Sequence, residues 1–292
     1  MATALARRRA EPVASSDLIY DVGLYDGADT AYYLFRGYRV VAIDANPLMI
    51  KGAQGRFAKE IGEERLTLLN IGIGPTPGEA TFWVSDHADW SSFDREIAAR
   101  NDQGHQPVPV PIVPFSDLLD EYGTPHYLKI DIEGNDRLCV EALKGKNLPK
   151  YISVEAECAR ETEVLSDEQA VAILELLRDV GYRRFKLVNQ NGWGPVQPTA
   201  ARFRARLIHS AARGRLRKLG LSRIAQKFVQ APITSLGFPF AGGSSSGPWG
   251  DDIPSVWMTF TQARSIYLKT RHAYFSRPEL LYSFWYDWHA TY

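Results

Sequence analysis

Cysteine is scarce in this 292-residue sequence, which contains only Cys139 and Cys158. Both lie in segments that we expect to be buried, so two reduced core thiols are favoured over a disulfide scaffold or a cysteine-rich metal site. Long hydrophobic runs are also missing, and no stretch approaches the length that spans a bilayer. Residues 1–16 carry three arginines with no apolar segment after them, which predicts a disordered tail rather than a secretory signal. A cytoplasmic location is therefore expected.

Acidic residues are absent from Asn191 to Gly250, although the whole chain has 34 basic and 34 acidic residues. The same stretch contains nine basic residues: Arg202, Arg204, Arg206, Arg213, Arg215, Arg217, Lys218, Arg223 and Lys227. Apolar residues recur at helical spacing over 200–228, which predicts one or two basic amphipathic helices followed by a Gly/Ser/Pro-rich loop. The sequence therefore predicts a basic insertion over residues 189–255.

Outside that insertion, short apolar stretches alternate with helical ones, which predicts an α/β fold with a mostly parallel sheet. The predicted strands are 18–22, 38–44, 66–73, 125–134, 150–157, 182–188 and a last strand within 280–292, and residues 79–85 could add a strand or hairpin arm. The predicted helices are 28–36, 48–60, 135–144, 166–179 and 259–270. The proline-rich segment 106–117 is expected to be a loop or an edge strand, because proline cannot donate a backbone hydrogen bond. The core is thus expected at 17–188, and a helix and last strand at 256–292 complete it.

Polar side chains follow five of the predicted strands at the point where each strand ends: Asp21, Asp44, Asn70, Asp131 and Glu155. In an open α/β sheet, ligands bind beyond the carboxyl ends of the strands. Five polar groups at one edge suit a polar ligand with several hydrogen-bond donors. The sequence therefore predicts a binding site at this edge of the sheet.

The turn after the first predicted strand, G-L-Y-D-G, lacks the G-x-G-x-x-G fingerprint of dinucleotide sites. Its glycines, Gly23 and Gly27, flank Asp26, which would repel a pyrophosphate but tolerate a cation. S-adenosyl-L-methionine has a sulfonium, an ammonium and a ribose diol, and Asp44 lies about 20 residues beyond the turn, where it can accept both ribose hydroxyls. Spacing alone leaves this cofactor, NAD and a purely structural turn open.

Two longer motifs are more specific. The run D-V-G-L-Y-D-G-A-D-T at 21–30 resembles the D-V-G-x-N-x-G-x-x-T motif of the FkbM family of S-adenosylmethionine-dependent methyltransferases. The run Y-L-K-I-D-I-E-G at 127–134 resembles that family's L-K-I-D-x-E-G signature, and W-S-S-F at 90–93 is also similar. The resemblance covers residues 18–188. It departs at Tyr25, where the family often has Asn, so the partner of the methionine end of the cofactor stays open.

The resemblance implies a Rossmann-like sheet of seven strands, with the last strand antiparallel between the fifth and sixth and the basic helical insertion before it. The residues expected to bind S-adenosyl-L-methionine are Asp21, Gly23, Asp26, Gly27, Asp44, Asn70 and Asp131. Those expected to bind the substrate are Trp90, Ser91, Ser92 and Glu155. Structural alternatives stay open, because Asp21 or Asn70 could brace a loop and Ser91 or Ser92 could cap a helix.

The implied reaction is O-methylation of a hydroxyl on a glycan or a secondary metabolite, with Asp131 as the general base and Lys129 as its ion-pair partner. The basic insertion could recruit an anionic or lipid-linked acceptor at a membrane surface, whereas nucleic-acid binding is disfavoured. One alternative is an inactive binding module for anionic lipid or nucleic acid, and another is NAD-dependent redox chemistry. In a third, Asp131 with Glu155 or Glu157 holds a divalent cation, although no metal is expected.

Overall fold

The computed structural model describes residues 17–86, 90–99, 102–132, 134–156, 159–160, 163–190, 194–196, 237–240, 245–275 and 285–292. The predicted tail at 1–16 and the predicted basic helices at 200–228 lie outside these residues. In the part of the chain that is described, none of the helices combines the length and the hydropathy that crossing a bilayer requires.

The strands belong to one large sheet and two small ones. In chain order they are β1 (Leu18–Val22), β2 (Arg39–Asp44), β3 (Leu66–Asn70), β4 (Gly72–Ile73), β5 (Gly78–Ser85), β6 (His105–Val113), β7 (Tyr127–Ile130), β8 (Tyr151–Glu155), β9 (Ala159–Arg160), β10 (Glu163–Val164), β11 (Arg184–Asn189), β12 (Gly194–Pro195) and β13 (Tyr286–Thr291). The large sheet has the order β12-β11-β13-β8-β7-β1-β2-β3.

The five strands from β3 to β8 in this order are mutually parallel. Strand β13 lies between β8 and β11 and is antiparallel to both, as predicted for the last strand. The large sheet has eight strands among the described residues, not the expected seven. The chain turns back after β11, so that Val188 pairs with Pro195 and the two-residue β12 joins the edge.

The described ranges contain nine α-helices: α1 (Ala28–Phe35), α2 (Pro47–Arg56), α3 (Ala58–Gly62), α4 (Arg95–Ala98), α5 (Phe115–Tyr122), α6 (Asp136–Glu141), α7 (Asp167–Ala170), α8 (Ala172–Val180) and α9 (Phe260–Phe275). Local signals set several of their ends. Asn46 caps α2 by accepting from the backbone N–H of Leu48, with Pro47 at the first helical position. Ser166 and Gln169 form a capping box at α7.

Apolar side chains cover both faces of the large sheet, as expected for a buried parallel sheet. One cluster includes Leu177 of α8, Tyr267 of α9 and Trp288 of β13. The other includes Tyr33 of α1 and Trp249. Cys139 is a buried free thiol, as predicted.

The segment 245–253 belongs to this core, although the sequence suggests a loop there. The Trp249 ring stacks on the Tyr127 ring with centroids 4.8 Å apart and an angle of 5° between the planes. The Lys186 ammonium donates to the carbonyl oxygens of Gly250 and Ile253 at 2.8 and 2.9 Å. The segment is therefore fastened to the sheet from β7 to β11.

Candidate cofactor and substrate site

A cavity of about 600 Å³ opens at the carboxyl ends of the central strands. Gly23, Asp44, Asp131 and Glu155 line it, each just after or at the end of its strand. Another part of its wall is apolar: Met49, Ile71, Ile73, Phe82, Phe93 and Ile97. This volume lies within the range of small-molecule sites, and the predicted edge of the sheet therefore holds a cavity large enough for a nucleoside-sized ligand.

The backbone at Gly23 approaches the end of β7 too closely for any side chain. A Cβ at Gly23 would lie 1.8 Å from the carbonyl oxygen of Asp131, and its φ of +89° favours glycine. Gly27 has a φ of +76°, and a Cβ there would lie 2.8 Å from the Phe57 ring. Gly23 thus brings the first turn against Asp131 inside the cavity, whereas Gly27 packs the turn against the junction of α2 and α3 and does not line the cavity.

Asp44 is fixed at the cavity wall by two backbone donors. Its Oδ2 accepts from the N–H of Tyr25 at 2.8 Å, and its Oδ1 accepts from the N–H of Asn46 at 2.8 Å. Burial raises the pKa of Asp44 above its ordinary value, although these two hydrogen bonds oppose the shift. Tyr25 has a left-handed φ of 49°, a conformation in which Asn is more favourable. The departure at Tyr25 therefore preserves a backbone contact to Asp44.

The other predicted cofactor residues support the cavity from outside its lining. Asn70 donates from Nδ2 to the carbonyl oxygens of Asp44 and Ala45 at 2.9 and 3.0 Å, so it braces the loop after β2. Asp26 accepts from the N–H of Ala28 at 2.8 Å and helps α1 to begin. The buried Asp21 accepts from the Thr30 hydroxyl at 2.6 Å, which ties β1 to α1.

Lys129 lies buried at the cavity wall, between the carboxylates of Asp21 and Asp131. Its ammonium donates to the carbonyl oxygen of Gly23 and lies 3.3 Å from Asp21 Oδ1 and 3.8 Å from Asp131 Oδ2. Burial by itself lowers the pKa of Lys129, but the charges of Asp21, Asp131 and Asp29 together raise it well above the ordinary value. Lys129 is therefore a fixed cation, and the predicted pairing with Asp131 is present.

A model of the family described as the methyltransferase FkbM domain matches residues 21–184. This chain belongs to that family. The match confirms the resemblance seen in the motifs and supports methyl transfer as the reaction type. Among solved structures, a precorrin-6y C5,15-methyltransferase from Geobacter metallireducens GS-15 is similar, with 16% identity, a TM-score of 0.31, and coverage of 60% of this chain and 69% of that one. A comparison with curated proteins finds no match.

Two serines that line the cavity lie well beyond the residues that match the FkbM domain. The Ser245 hydroxyl donates to Asp29 Oδ1 at 2.6 Å, and the backbone N–H of Ser246 donates to Asp29 Oδ2 at 2.9 Å. Asp29 is buried in the first turn of α1, and burial raises its pKa. No local motif predicts this contact, because its partners are more than 200 residues apart in the chain.

The W-S-S segment of the FkbM domain is held against β5. Ser91 Oγ accepts from the N–H of Ser85 at 3.1 Å, and the backbone of Ser92 exchanges two hydrogen bonds with that of Trp83. Ser91 and Ser92 line the cavity, whereas Trp90 does not. The helix cap that follows is Asp94, so neither serine has the alternative role of an N-cap.

Glu155 shares its end of the cavity with Gln190 and Trp285. The Gln190 amide donates to the carboxyl group of Asp287, and both side chains are buried. Burial, and then the charge of Asp131, raise the pKa of Asp287 well above its ordinary value. Gln190 directly follows β11, and the strand-end pattern that points to Glu155 would also have pointed to it.

Metal-ligating side chains do not cluster in the part of the chain that is described. The expected independence from metal stays a prediction. His289 lies buried in β13, and His126 precedes β7 at the end of the sheet away from the cavity. Neither histidine lines the cavity.

Proposed function

We propose that this chain is an S-adenosyl-L-methionine-dependent O-methyltransferase that acts on a hydroxyl of a glycan or a secondary metabolite. The observation that carries the proposal is the carboxylate of Asp44, which two backbone N–H groups hold at the cavity wall. Each oxygen keeps a lone pair for one hydroxyl of a ribose diol. When bound, the cofactor would supply the methyl group on a positively charged sulfur.

The charges of the cavity wall support a cationic cofactor. The carboxyl groups among the lining residues belong to Asp29, Asp44, Asp94, Asp131 and Glu155. Lys129 is the only lysine or arginine among the described lining residues, and its charge is already paired with Asp21 and Asp131. Such a wall would repel a pyrophosphate, which argues against NAD, and would stabilise a sulfonium.

Asp131 is our candidate for the general base. Its carboxylate lines the cavity and remains partly exposed, so it can reach the proton of an acceptor hydroxyl. Glu155 on the neighbouring strand and the W-S-S serines would hold the acceptor around it. Most of the rate enhancement in such a transfer comes from positioning, which the backbone contacts of this cavity favour.

For the acceptor, the proposal names only a chemical class, a hydroxyl of a glycan or a secondary metabolite. A role for the basic residues 202–227 in recruiting an anionic or lipid-linked acceptor stays a prediction, because these residues lie outside the described ranges. Within those ranges the cavity wall is rich in carboxylates, so a neutral hydroxyl fits it better than an anionic group.

Calorimetric titration with S-adenosylhomocysteine and with NAD tests the cofactor assignment. We expect saturable binding of S-adenosylhomocysteine and none of NAD, and the opposite result would refute the proposal. Transfer of labelled methyl from S-adenosylmethionine into a cell extract then tests the activity.

The Asp131→Asn variant tests the base, with Asp120→Asn as a control on the exposed face of α5. We expect Asp131→Asn to lose methyl transfer with an unchanged melting temperature, and the control to keep both. Turnover of Asp131→Asn at the wild-type rate would remove Asp131 from this role.

A further inference from the structure

The segment 245–253 supplies a cavity wall that the family match does not cover. We infer that the hydroxyl of Ser246 in this segment binds the carboxylate at the amino-acid end of S-adenosylmethionine. The inference rests on the proposed function, because it assigns one end of the proposed cofactor. It makes the C-terminal part of this chain a component of the cofactor site.

The Ser246 backbone is held rigidly while its hydroxyl is uncommitted. Asp29 accepts from the Ser246 N–H, and the Gly247 N–H donates to Ser245 Oγ at 3.0 Å. Ser246 is only 4% exposed and lines the cavity, yet its hydroxyl has no hydrogen-bond partner within the described ranges. A hydroxyl at the cavity wall with no partner in the protein is available to donate a hydrogen bond to a ligand.

The position of Ser246 relative to Asp44 fits the length of the cofactor. Strands β2 and β7 are separated by β1 alone, so Asp44 and the end of β7 are about 10 Å apart across the sheet. Trp249 of the serine segment stacks on Tyr127 of β7, and Tyr33 of α1, the helix that carries Asp29, packs edge-on against the same ring. Asp29 and its two serines therefore lie on the β7 side of the cavity. The apolar residues Met49 and Ile71 lie on the other side and suit an adenine ring.

The ammonium of Lys129 and the amide of Gln190, two other donors in the described wall, are already committed. The Lys129 ammonium is shared by Gly23, Asp21 and Asp131, and the Gln190 amide donates to Asp287. The Asn that the family often has at position 25 is Tyr here, and the backbone N–H of that residue is used by Asp44.

The charge of Asp29 would by itself oppose a carboxylate nearby. However, burial raises the pKa of Asp29, and both of its oxygens accept hydrogen bonds from the serine segment. Asp29 is therefore a positioning residue for Ser246, which remains the group that contacts the ligand.

Three probes separate the parts of the cofactor: S-adenosylhomocysteine, its decarboxylated analogue, which keeps the amine, and 5′-methylthioadenosine, which lacks the whole amino-acid arm. Each is titrated into wild type and Ser246→Ala. Ser255→Ala is the matched control, because Ser255 has a buried hydroxyl nearby in the chain that does not line the cavity. Melting temperatures confirm that all three proteins are folded.

We expect Ser246→Ala to lower the affinity for S-adenosylhomocysteine about tenfold, as for a lost hydrogen bond to a charged group. The affinities for the other two probes should not change, and Ser255→Ala should bind all three like wild type. An unchanged affinity for S-adenosylhomocysteine, or an equal loss for all three probes, would overturn the inference while leaving the proposed function intact. Wild type that binds none of the probes would instead refute the proposed function.

Discussion

At the scale of single residues, the carboxylate of Asp44 should dominate the affinity for the nucleoside. We predict that Asp44→Asn lowers the affinity for S-adenosylhomocysteine about tenfold, because an amide cannot accept from two hydroxyls as a carboxylate does. Asp94→Asn is the matched control, since Asp94 also lines the cavity but caps α4. Calorimetric titration with S-adenosylhomocysteine measures the affinity of both variants. Equal affinities in the two variants would remove Asp44 from the site.

At Gly23, a side chain would meet two obstacles: the cost of a left-handed backbone and a clash with Asp131. Gly23 and Gly37 have nearly the same φ, +89° and +85°, but a Cβ at Gly37 would meet nothing within 4 Å. Gly37→Ala should therefore cost only the left-handed backbone penalty, about 1–2 kcal/mol. We predict a larger loss of unfolding free energy in Gly23→Ala, together with loss of S-adenosylhomocysteine binding. Urea denaturation measures the difference, and equal midpoints would show that the approach to Asp131 is unimportant.

The sequence predicts those cavity-lining residues that lie in short local motifs. Gly23, Asp44 and Asp131 each lie at a strand end inside or beside a short motif, and all three line the cavity. The contact between Asp29 and Ser246 spans 217 positions and has no spacing rule. Asp21 and Asn70 fit their structural alternative, since each braces a loop or a helix beneath the cavity.

At the scale of elements, Trp249 fastens the segment 245–253 to the sheet. The ring is 3% exposed and packs edge-on against Tyr33 besides its stacking on Tyr127. We predict that Trp249→Ala lowers the unfolding free energy by about 3–5 kcal/mol. Trp257→Ala should cost clearly less, because Trp257 is half-buried and its ring lies 6.2 Å from that of Tyr151. Urea denaturation of both variants tests this, and similar losses would contradict it.

The proline-rich strand β6 shows why element prediction was only partly successful. Its prolines pair along β5, while only Ile112 and Val113 pair with β4, so most of β6 has one open side in the described residues. The expectation of an edge strand therefore holds for the proline positions.

The sequence predicts one helix over 48–60, but the helix is interrupted at Phe57, whose backbone is not helical and whose ring packs against Gly27. A two-residue strand such as β12 has too little pattern to predict.

At the scale of the whole molecule, buried titrating groups make stability depend on pH in opposite directions. Burial, and then the charge of Lys186, lower the pKa of His289 to about 3. Unfolded histidine has a pKa of about 6.5, so the unfolded chain binds a proton that the folded chain excludes, and stability falls as the pH drops below that value. Burial raises the pKa values of Asp21 and Asp136 to about 6, so their contribution is present at low pH and lost as the pH rises through 6.

A substitution at His289 isolates one of these contributions. Both ring nitrogens lack hydrogen-bond partners in the described part of the chain, so His289→Leu removes no such bond. Between pH 7 and pH 5, we predict that this variant loses about 2 kcal/mol less unfolding free energy than wild type. Urea denaturation at the two pH values measures this. The same decrease in both proteins would mean that His289 is not the group that titrates.

The position of β13 at the end of the chain affects how the protein folds during its synthesis. Within the large sheet, β11 is the next strand after β8 along the chain, but the two are joined in space only when β13 enters between them. On the ribosome, both would emerge with facing edges unpaired, and each unpaired edge is a template for association with other chains. Contacts that span so much sequence also form slowly. The interval between the release of residue 189 and that of residue 291 is therefore when the nascent chain most needs a chaperone.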